Sequence, residues 1–483
     1  MKKFINKIKN NKVLSVLSVL IIGLFFILVT RITYAYLAPV INDAQTNVVG
    51  STDTVDDFKF ELGNPLKINA TPTTLKENGS NYTTSTTAKA LLKANSTKNT
   101  ATFNYYVYFQ IKSNTFKYSD GSTPEIILTV TNPNGDEITS IDGLTYGTFN
   151  GVSGFDITTK KGLFNIANSH EITSNSSTTY TTQSWTIKIT YLNLSIDQST
   201  NFGNSMKVNV YITKNEKKPT LADVCSSEQT LSSCIIAMDG KDDTLYHHTS
   251  TLANGAGDNS YRYAGESDSV NNYICLGSDE ATCPDANLFR IIGVFGDQTK
   301  VIRAKSVGDK EWHISESNTW SSSSLNTYLN GEYLTSLGTI AKKIATTTWK
   351  VGGGSSTKLL DVPSTAYQYE VGSNASTTTV DKKIGLMYVS DYGFAADQSA
   401  WTTKLDSYNS NTSKNWLYLG SDEWTISRDD SVTFDCAFYV NIDGYVSISS
   451  VGIGNAVRPS FNLLSSTSYV SGSGSMSDPV RIN

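Results

Sequence analysis

Between residues 50 and 215, apolar and polar side chains alternate with a period of two. In 184–191, Trp185, Ile187, Ile189 and Tyr191 fall on one side, and Ser184, Thr186, Lys188 and Thr190 on the other. Met206, Val208, Val210 and Ile212 repeat the pattern, as do Phe103, Tyr105, Val107, Phe109 and Ile111, and Ile126, Leu128 and Val130. Successive side chains of a strand point to opposite faces, so each stretch predicts a strand with one buried face. Turn residues separate the stretches, as in Asn132-Pro133-Asn134-Gly135-Asp136 and Asp142-Gly143. No long segment here has helical period, and two sheets packed face to face are expected.

The pattern changes after the charged segment 214–221. Leu325, Tyr328, Leu329, Tyr333 and Leu337 recur at helical spacing, with serines to cap the start and Gly338 to stop the helix. Stretches 289–295 and 300–304 flank Gly296-Asp297-Gln298-Thr299 and predict a hairpin. Segments 343–351 and 384–390 read as strands. Segments 436–442 and 445–450 flank Asp443-Gly444, the signal for a two-residue type I′ turn. Closing strands are expected in 456–464 and 472–482. The expected organisation is a leader helix over 1–35, a β-sandwich over 36–213, a linker over 214–221 and an α+β domain over 222–483. The fold class is mainly β with a minor α part.

The start of the chain sets the compartment. Lys2, Lys3, Lys7, Lys9 and Lys12 precede an uncharged run from Val13 to Thr30. A basic start followed by an apolar run reads as an export signal. Eighteen helical residues reach about 27 Å, close to the roughly 30 Å of a hydrocarbon core. The run therefore serves either as a cleaved signal or as a single membrane anchor. Excess lysine stays inside, so everything after Thr30 is expected outside the cell in both cases. Thr33 and Ala35 supply small residues for cleavage between Ala35 and Tyr36.

Two resemblances follow from particular residues. Thr33-Tyr34-Ala35-Tyr36, with the stretch from Trp185 through Asn193-Leu194, Asp197-Gln198 and Gly203 to 208–212, resembles the TasA/camelysin family of secreted fibre-forming proteins. That resemblance implies a cut export signal and a jelly-roll-like β-sandwich. The second half carries 258–265 (DNSYRYAG), 287–295 (NLFRIIGVF), 384–393 (IGLMYVSDYG), 423–428 (EWTISR) and 457–463 (VRPSFNL) in that order. These resemble the domains of exported bacterial proteins that end in a "GVRPxxNL" motif, with Ala456 in place of the glycine. This resemblance implies a C-type-lectin-like fold. The Glu-Pro-Asn and Gln-Pro-Asp signatures of calcium-dependent sugar binding are absent from the sequence.

Charge and candidate chemistry narrow the function. Residues 1–35 hold six of the 39 basic residues and none of the 44 acidic ones, so the remainder carries 33 against 44, a net of −11. Such a surface repels nucleic acid. Cys225, Cys234, Cys275 and Cys283 form two close pairs and are candidate disulfides in an oxidising exterior, with three pairings open. Cys436 is left over as a thiol in a strand. His170, His247, His248 and His313 read as solvated loop residues, and the adjacent pair faces opposite ways, so no metal site is expected. Asp239, Asp242 and Asp243, and Asn254, Asp258 and Asn259, form oxygen-rich loops that read as solvated turns. Asp429 and Asp430, with Glu423 nearby, do not converge as a glycosidase pair would, and read as a turn. Arg458 is expected to pair with an internal carboxylate. No catalytic set, nucleotide loop or cofactor motif is present.

Trp416, Trp424, Arg428, Tyr439 and Tyr445 gather near the 443–444 hairpin and are the candidate ligand surface. The expected function is a non-enzymatic exported surface protein that binds or displays a glycan or protein ligand through its second domain. A fibre or matrix subunit and a cell-wall-directed enzyme are the alternatives. The mature chain is expected to begin at Tyr36. N-terminal sequencing of the protein from its native cell checks this, and an intact start would indicate a membrane-held chain.

Overall fold

The computed structural model describes residues 56–483, apart from 65, 67, 71–79, 227, 228, 316 and 431–434, with backbone alone for 33–35 and 68–70. The apolar run 13–30 and Tyr36 lie outside these residues, as does the side chain of Ala35. Strand accounts for 38% and helix for 17%, so the fold is mainly β. Among the described residues, no helix is long and apolar enough to cross a membrane. The chain divides into two compact units, 1–217 and 218–483.

The first unit holds a six-stranded antiparallel sheet in the order Asp57–Leu62, Tyr82–Lys93, Thr181–Tyr191, Ile126–Thr131, Val152–Asp156, Thr145–Phe149. A three-stranded sheet has the order Met206–Thr213, Ala101–Asn114, Gly162–Ser174. The alternating positions of both sheets fill one core, with Trp185, Ile187, Ile189, Leu128 and Val130 from the first and Tyr105, Val107, Phe109, Ile111, Val208 and Val210 from the second. Burying each such side chain contributes about 1.5–3 kcal/mol, which fixes the register because a one-residue slip would expose the whole set. The polar tips in this core are paired. Trp185 Nε1 donates to the Tyr105 hydroxyl at 2.9 Å, and that hydroxyl donates to Gln183 Oε1 at 2.7 Å.

One carboxylate ties the loops at the end of this unit. Glu125 is fully buried. It accepts from the Ser119 amide at 2.6 Å, Gln198 Nε2 at 2.8 Å, Asn201 Nδ2 at 2.9 Å and the Tyr191 hydroxyl at 3.3 Å. A charge held away from water needs such donors. Gln198, one of the residues behind the resemblance to secreted fibre proteins, therefore has a structural role here.

The second unit is built on a nine-stranded sheet. Its main path runs Ile384–Gly385, Ser460–Asn462, Gln298–Arg303, Leu288–Phe295, Tyr273–Cys275, Val480–Ile482, Tyr469–Ser471. Tyr261–Tyr263 pairs with Leu288–Phe295 and with Leu245–His247. A five-stranded sheet runs Asp309–Glu311, Gly454–Ala456, Glu423–Arg428, Cys436–Val440, Val446–Ser450. Strands Thr347–Lys350 and Thr379–Lys382 form a separate ribbon. The expected helix is present as Ser324–Tyr328, Leu329–Tyr333 and Leu334–Ser336, the middle part with π-type bonding. Ser323 caps it by accepting the Asn326 amide at 3.0 Å.

Two local expectations are corrected. Segment 384–390 is a strand only over Ile384–Gly385, and helix Val389–Phe394 begins where a strand was expected. The Asp391 carboxylate accepts the Tyr388 amide at 2.9 Å and the distant Glu370 accepts the Val389 amide at 2.8 Å, so capping at this point favours a helix over a continued strand. At the second hairpin, Asn441 accepts the Gly444 amide at 2.7 Å and Gly444 has φ +92°. Asp443 keeps negative φ, so the loop is a three-residue turn closed by a left-handed glycine, not a type I′ turn. Glu125→Ala is expected to lower the stability of the first unit by about 3 kcal/mol, because its donors lose their acceptor. Urea denaturation measures it, and a loss below about 0.5 kcal/mol would contradict the role given to this network.

Candidate functional site

The described residues of the second unit enclose a cavity of about 270 Å³ whose floor is charged and whose walls are aromatic. Strand Tyr261–Tyr263 supplies Arg262, strand Gln298–Arg303 supplies Lys300, and helix Val389–Phe394 supplies Asp391. The Asp391 carboxylate receives Lys300 Nζ at 2.5 Å on one oxygen and Arg262 Nη1 at 3.4 Å on the other. Arg262 Nη2 also binds Asp258 at 2.7 Å. The side chains of Arg262, Lys300 and Asp391 are 3%, 6% and 2% exposed. Charges this deep persist only when paired, so the four groups form one interlocked set.

Aromatic rings surround the cations. The Arg262 guanidinium lies 4.6 Å from the Phe295 ring and 5.3 Å from Tyr367, and Lys300 Nζ lies 4.6 Å from Tyr388 and 5.4 Å from Trp349. Strand geometry brings Trp349 there, and its indole donates to the Lys382 carbonyl at 3.1 Å. The Tyr388 hydroxyl accepts the Lys350 amide at 2.9 Å. Burial lowers the Lys300 ammonium from its usual range, and Asp391 opposes the shift. For Asp258, burial pulls upward, but Arg262 and the Ser260 hydroxyl outweigh it and hold the carboxyl at about 2.

A second buried acid stands on the same turn. Glu370, at the end of helix Pro363–Glu370, accepts the Val389 amide at 2.8 Å and the Ser390 amide at 2.9 Å, and the Ser427 hydroxyl donates to it. Burial raises its carboxyl, with these hydrogen bonds opposing. A larger cavity of about 440 Å³ lies beside Cys275 and Arg481, but its cations are already engaged. Arg481 donates to the Ser278 and Glu280 carbonyls, and Lys343 to the Asn483 carbonyl.

The residues expected to form a ligand surface divide. Trp416 and Trp424 are 2% and 0% exposed, with their indoles donating to the Tyr263 and Lys310 carbonyls at 2.8 and 2.9 Å. They belong to the core, because neither ring borders the cavity and each has its N–H satisfied inside the fold. Arg428 donates to the Gly352 carbonyl at 2.9 Å, Tyr439 packs edge-on against Trp424, and Tyr445 is half-buried. Arg458 forms the expected internal pair, contacting Glu423 at 2.6 and 2.7 Å. That removes Glu423 from any acid–base role. Asp429 is buried and Asp430 exposed, so only one of the two is a solvated turn residue.

Cys275 and Cys283 form a disulfide with Cα atoms 5.9 Å apart. Cys225 and Cys234, the other two candidate disulfide residues, lie fully buried without a covalent link. Both are close enough to the Tyr263 and Tyr469 hydroxyls to perturb them. Cys436 is a half-buried thiol in its strand, as expected. Asp258 is committed to Arg262 and Ser260, and Asp242 caps Thr244, so these oxygens serve the fold. Among the described residues, no group of three or more His, Cys, Asp or Glu side chains is arranged to hold a metal ion.

Sequence reasoning passed over Asp258, Arg262, Lys300, Trp349, Glu370 and Asp391 as a set. The available signal was a charge inside an otherwise apolar or aromatic run, as in Tyr261-Arg262-Tyr263 and in Lys300-Val301-Ile302. No protein-family model, curated protein or solved structure matches the chain.

His248 was read as solvated but is fully buried beside this site. Its Nδ1 accepts the Ala256 amide at 3.0 Å, and its ring packs 4.8 Å from Phe394 and 5.0 Å from Trp401. Burial, aided by the Arg262 charge, pushes the imidazole down to about 3. Below about pH 6.5 the unfolded chain takes up a proton that the native state refuses until about pH 3, so stability falls on acidification through this window. The expected slope is roughly 1.4 kcal/mol per pH unit. His248→Gln keeps an acceptor for Ala256 and is expected to flatten the fall. Denaturation midpoints between pH 7 and 4 measure it, and an unchanged pH dependence in the variant would refute the assignment.

Proposed function

We propose that the chain is an exported, non-enzymatic binding protein whose second unit receives one sugar ring of a glycan in the cavity between Phe295, Trp349, Tyr367 and Tyr388. The observation that carries the reading is the combination of aromatic walls with a charged floor whose members are already paired with one another. Paired charges are rigid hydrogen-bonding partners, and aromatic faces stack on the apolar side of a pyranose. A volume of about 270 Å³ suits one ring rather than an extended peptide. Export is supported by the lysine-rich start and apolar run, and by the resemblance to secreted fibre proteins and to "GVRPxxNL" domains. Those resemblances also support a jelly-roll-like first unit and a C-type-lectin-like second unit.

A second reading, a fibre or matrix subunit, is favoured by one observation in the first unit. Its three-stranded sheet ends on the thirteen-residue strand Gly162–Ser174, which pairs on one side with Ala101–Asn114. A long strand at a sheet edge is a template for another chain. Concentration-dependent filaments in electron micrographs would select this reading.

Screening the full chain on glycan arrays is expected to give selective binding that Phe295→Ala weakens about tenfold, or about 1.4 kcal/mol. Phe295 is half-buried at the cavity wall, so its truncation removes a contact face. Absence of glycan binding by the folded protein, or binding indifferent to Phe295, would overturn the reading.

A further inference from the structure

We propose that Lys300 and Asp391 condense to an intramolecular amide, a covalent cross-link between strand Gln298–Arg303 and helix Val389–Phe394 at the floor of the cavity. The inference rests on the geometry of the pair and not on what the cavity binds. Lys300 Nζ lies 2.5 Å from an Asp391 oxygen, with both side chains almost wholly removed from solvent. The fold therefore holds the amine against the carboxyl group, where effective concentrations are very high. The Phe295, Trp349 and Tyr388 rings shield the amine from water.

The chemistry needs no oxidant and no second substrate. Within a low-dielectric site an ammonium–carboxylate pair can pass a proton and become a neutral amine beside a neutral carboxylic acid. The lone pair of Lys300 Nζ attacks Asp391 Cγ. Negative charge develops on the carboxyl oxygen that faces Arg262 Nη1, where the guanidinium stabilises it. The Cγ–O bond to the other oxygen then breaks. That oxygen leaves as water, taking one proton from the acid and one from the amine, and an amide N–C bond remains. The cavity gives the water a way out.

Glu370 positions the turn that carries Asp391. It binds the amides of Val389 and Ser390, next to Asp391 on the same turn, and its charge acts on Lys300. Formation of the amide also removes two buried charges, so the product loses the desolvation cost carried by the pair.

The test is a tryptic digest of the reduced, denatured full-length protein, analysed by mass spectrometry. Trypsin cuts after lysine and arginine, so segments 291–303 and 384–404 bracket the two residues. The expected product is one linked species, a water lighter than the two peptides together, with no cut after Lys300. Recovery of 291–300 and 384–404 as separate, unmodified peptides would overturn the proposal. Lys300→Met is expected to abolish the linked species. Glu370→Gln is expected to slow its appearance at least tenfold during incubation of freshly refolded protein. The wild-type digest decides the matter even if either variant fails to fold, and it is independent of the glycan screen.

Discussion

Asp391 holds two cations while its side chain is only 2% exposed. That constraint organises the second unit. A lone carboxylate at such a depth would be intolerable, so strand Tyr261–Tyr263 and strand Gln298–Arg303 must present Arg262 and Lys300 on the same side. The same carboxylate caps its own helix by accepting the Tyr388 amide, so a change at one side chain would reach the helix start, two strands and the cavity together. The aromatic walls complete the arrangement by supplying ring faces to both cations.

A second buried pair repeats the logic. Arg458 in the closing motif grips Glu423 through two hydrogen bonds, and its Nη2 also donates to the Leu417 carbonyl. Arg290 is satisfied by Asn272, Ser267 and the Val270 carbonyl, with Trp416 and Tyr273 stacked on it. The motifs that run through 258–463 thus contribute opposite ends of buried contacts. Arg262 meets Asp391 across 129 residues, and Glu423 meets Arg458 across 35. Their placement along the chain reflects an interior wired by buried ion pairs.

The candidate site was less legible than the fold. Trp416 and Trp424 drew attention because aromatic rings near a hairpin suit a ligand surface, yet both pack inward with their N–H groups satisfied by carbonyls. Trp349 and Tyr388, in segments read only as strands, line the cavity instead. The difference lies in which face of each element meets the core, and periodicity cannot assign this in short irregular elements such as Thr347–Lys350. Arg262 and Lys300 stand as charges beside apolar or aromatic neighbours in the sequence, a signal left unread, and only their convergence on Asp391 shows what the charges do.

The sequence by itself determined the sandwich. Alternation over 101–114, 126–131, 181–191 and 206–213 permits one buried face for each strand, and the structure buries that face. It also determined the helix over 324–336, where apolar spacing and a serine cap agree. The tertiary structure decided the helix at Val389–Phe394, the three-residue turn at Gly444 and the cavity. In each of these a long-range contact takes part: Glu370 on the Val389 amide, the Tyr392 hydroxyl on the Gly444 carbonyl, and Lys300 with Asp391. A pattern of side chains fixes which residues leave water, but not which distant charge will meet them once they have left.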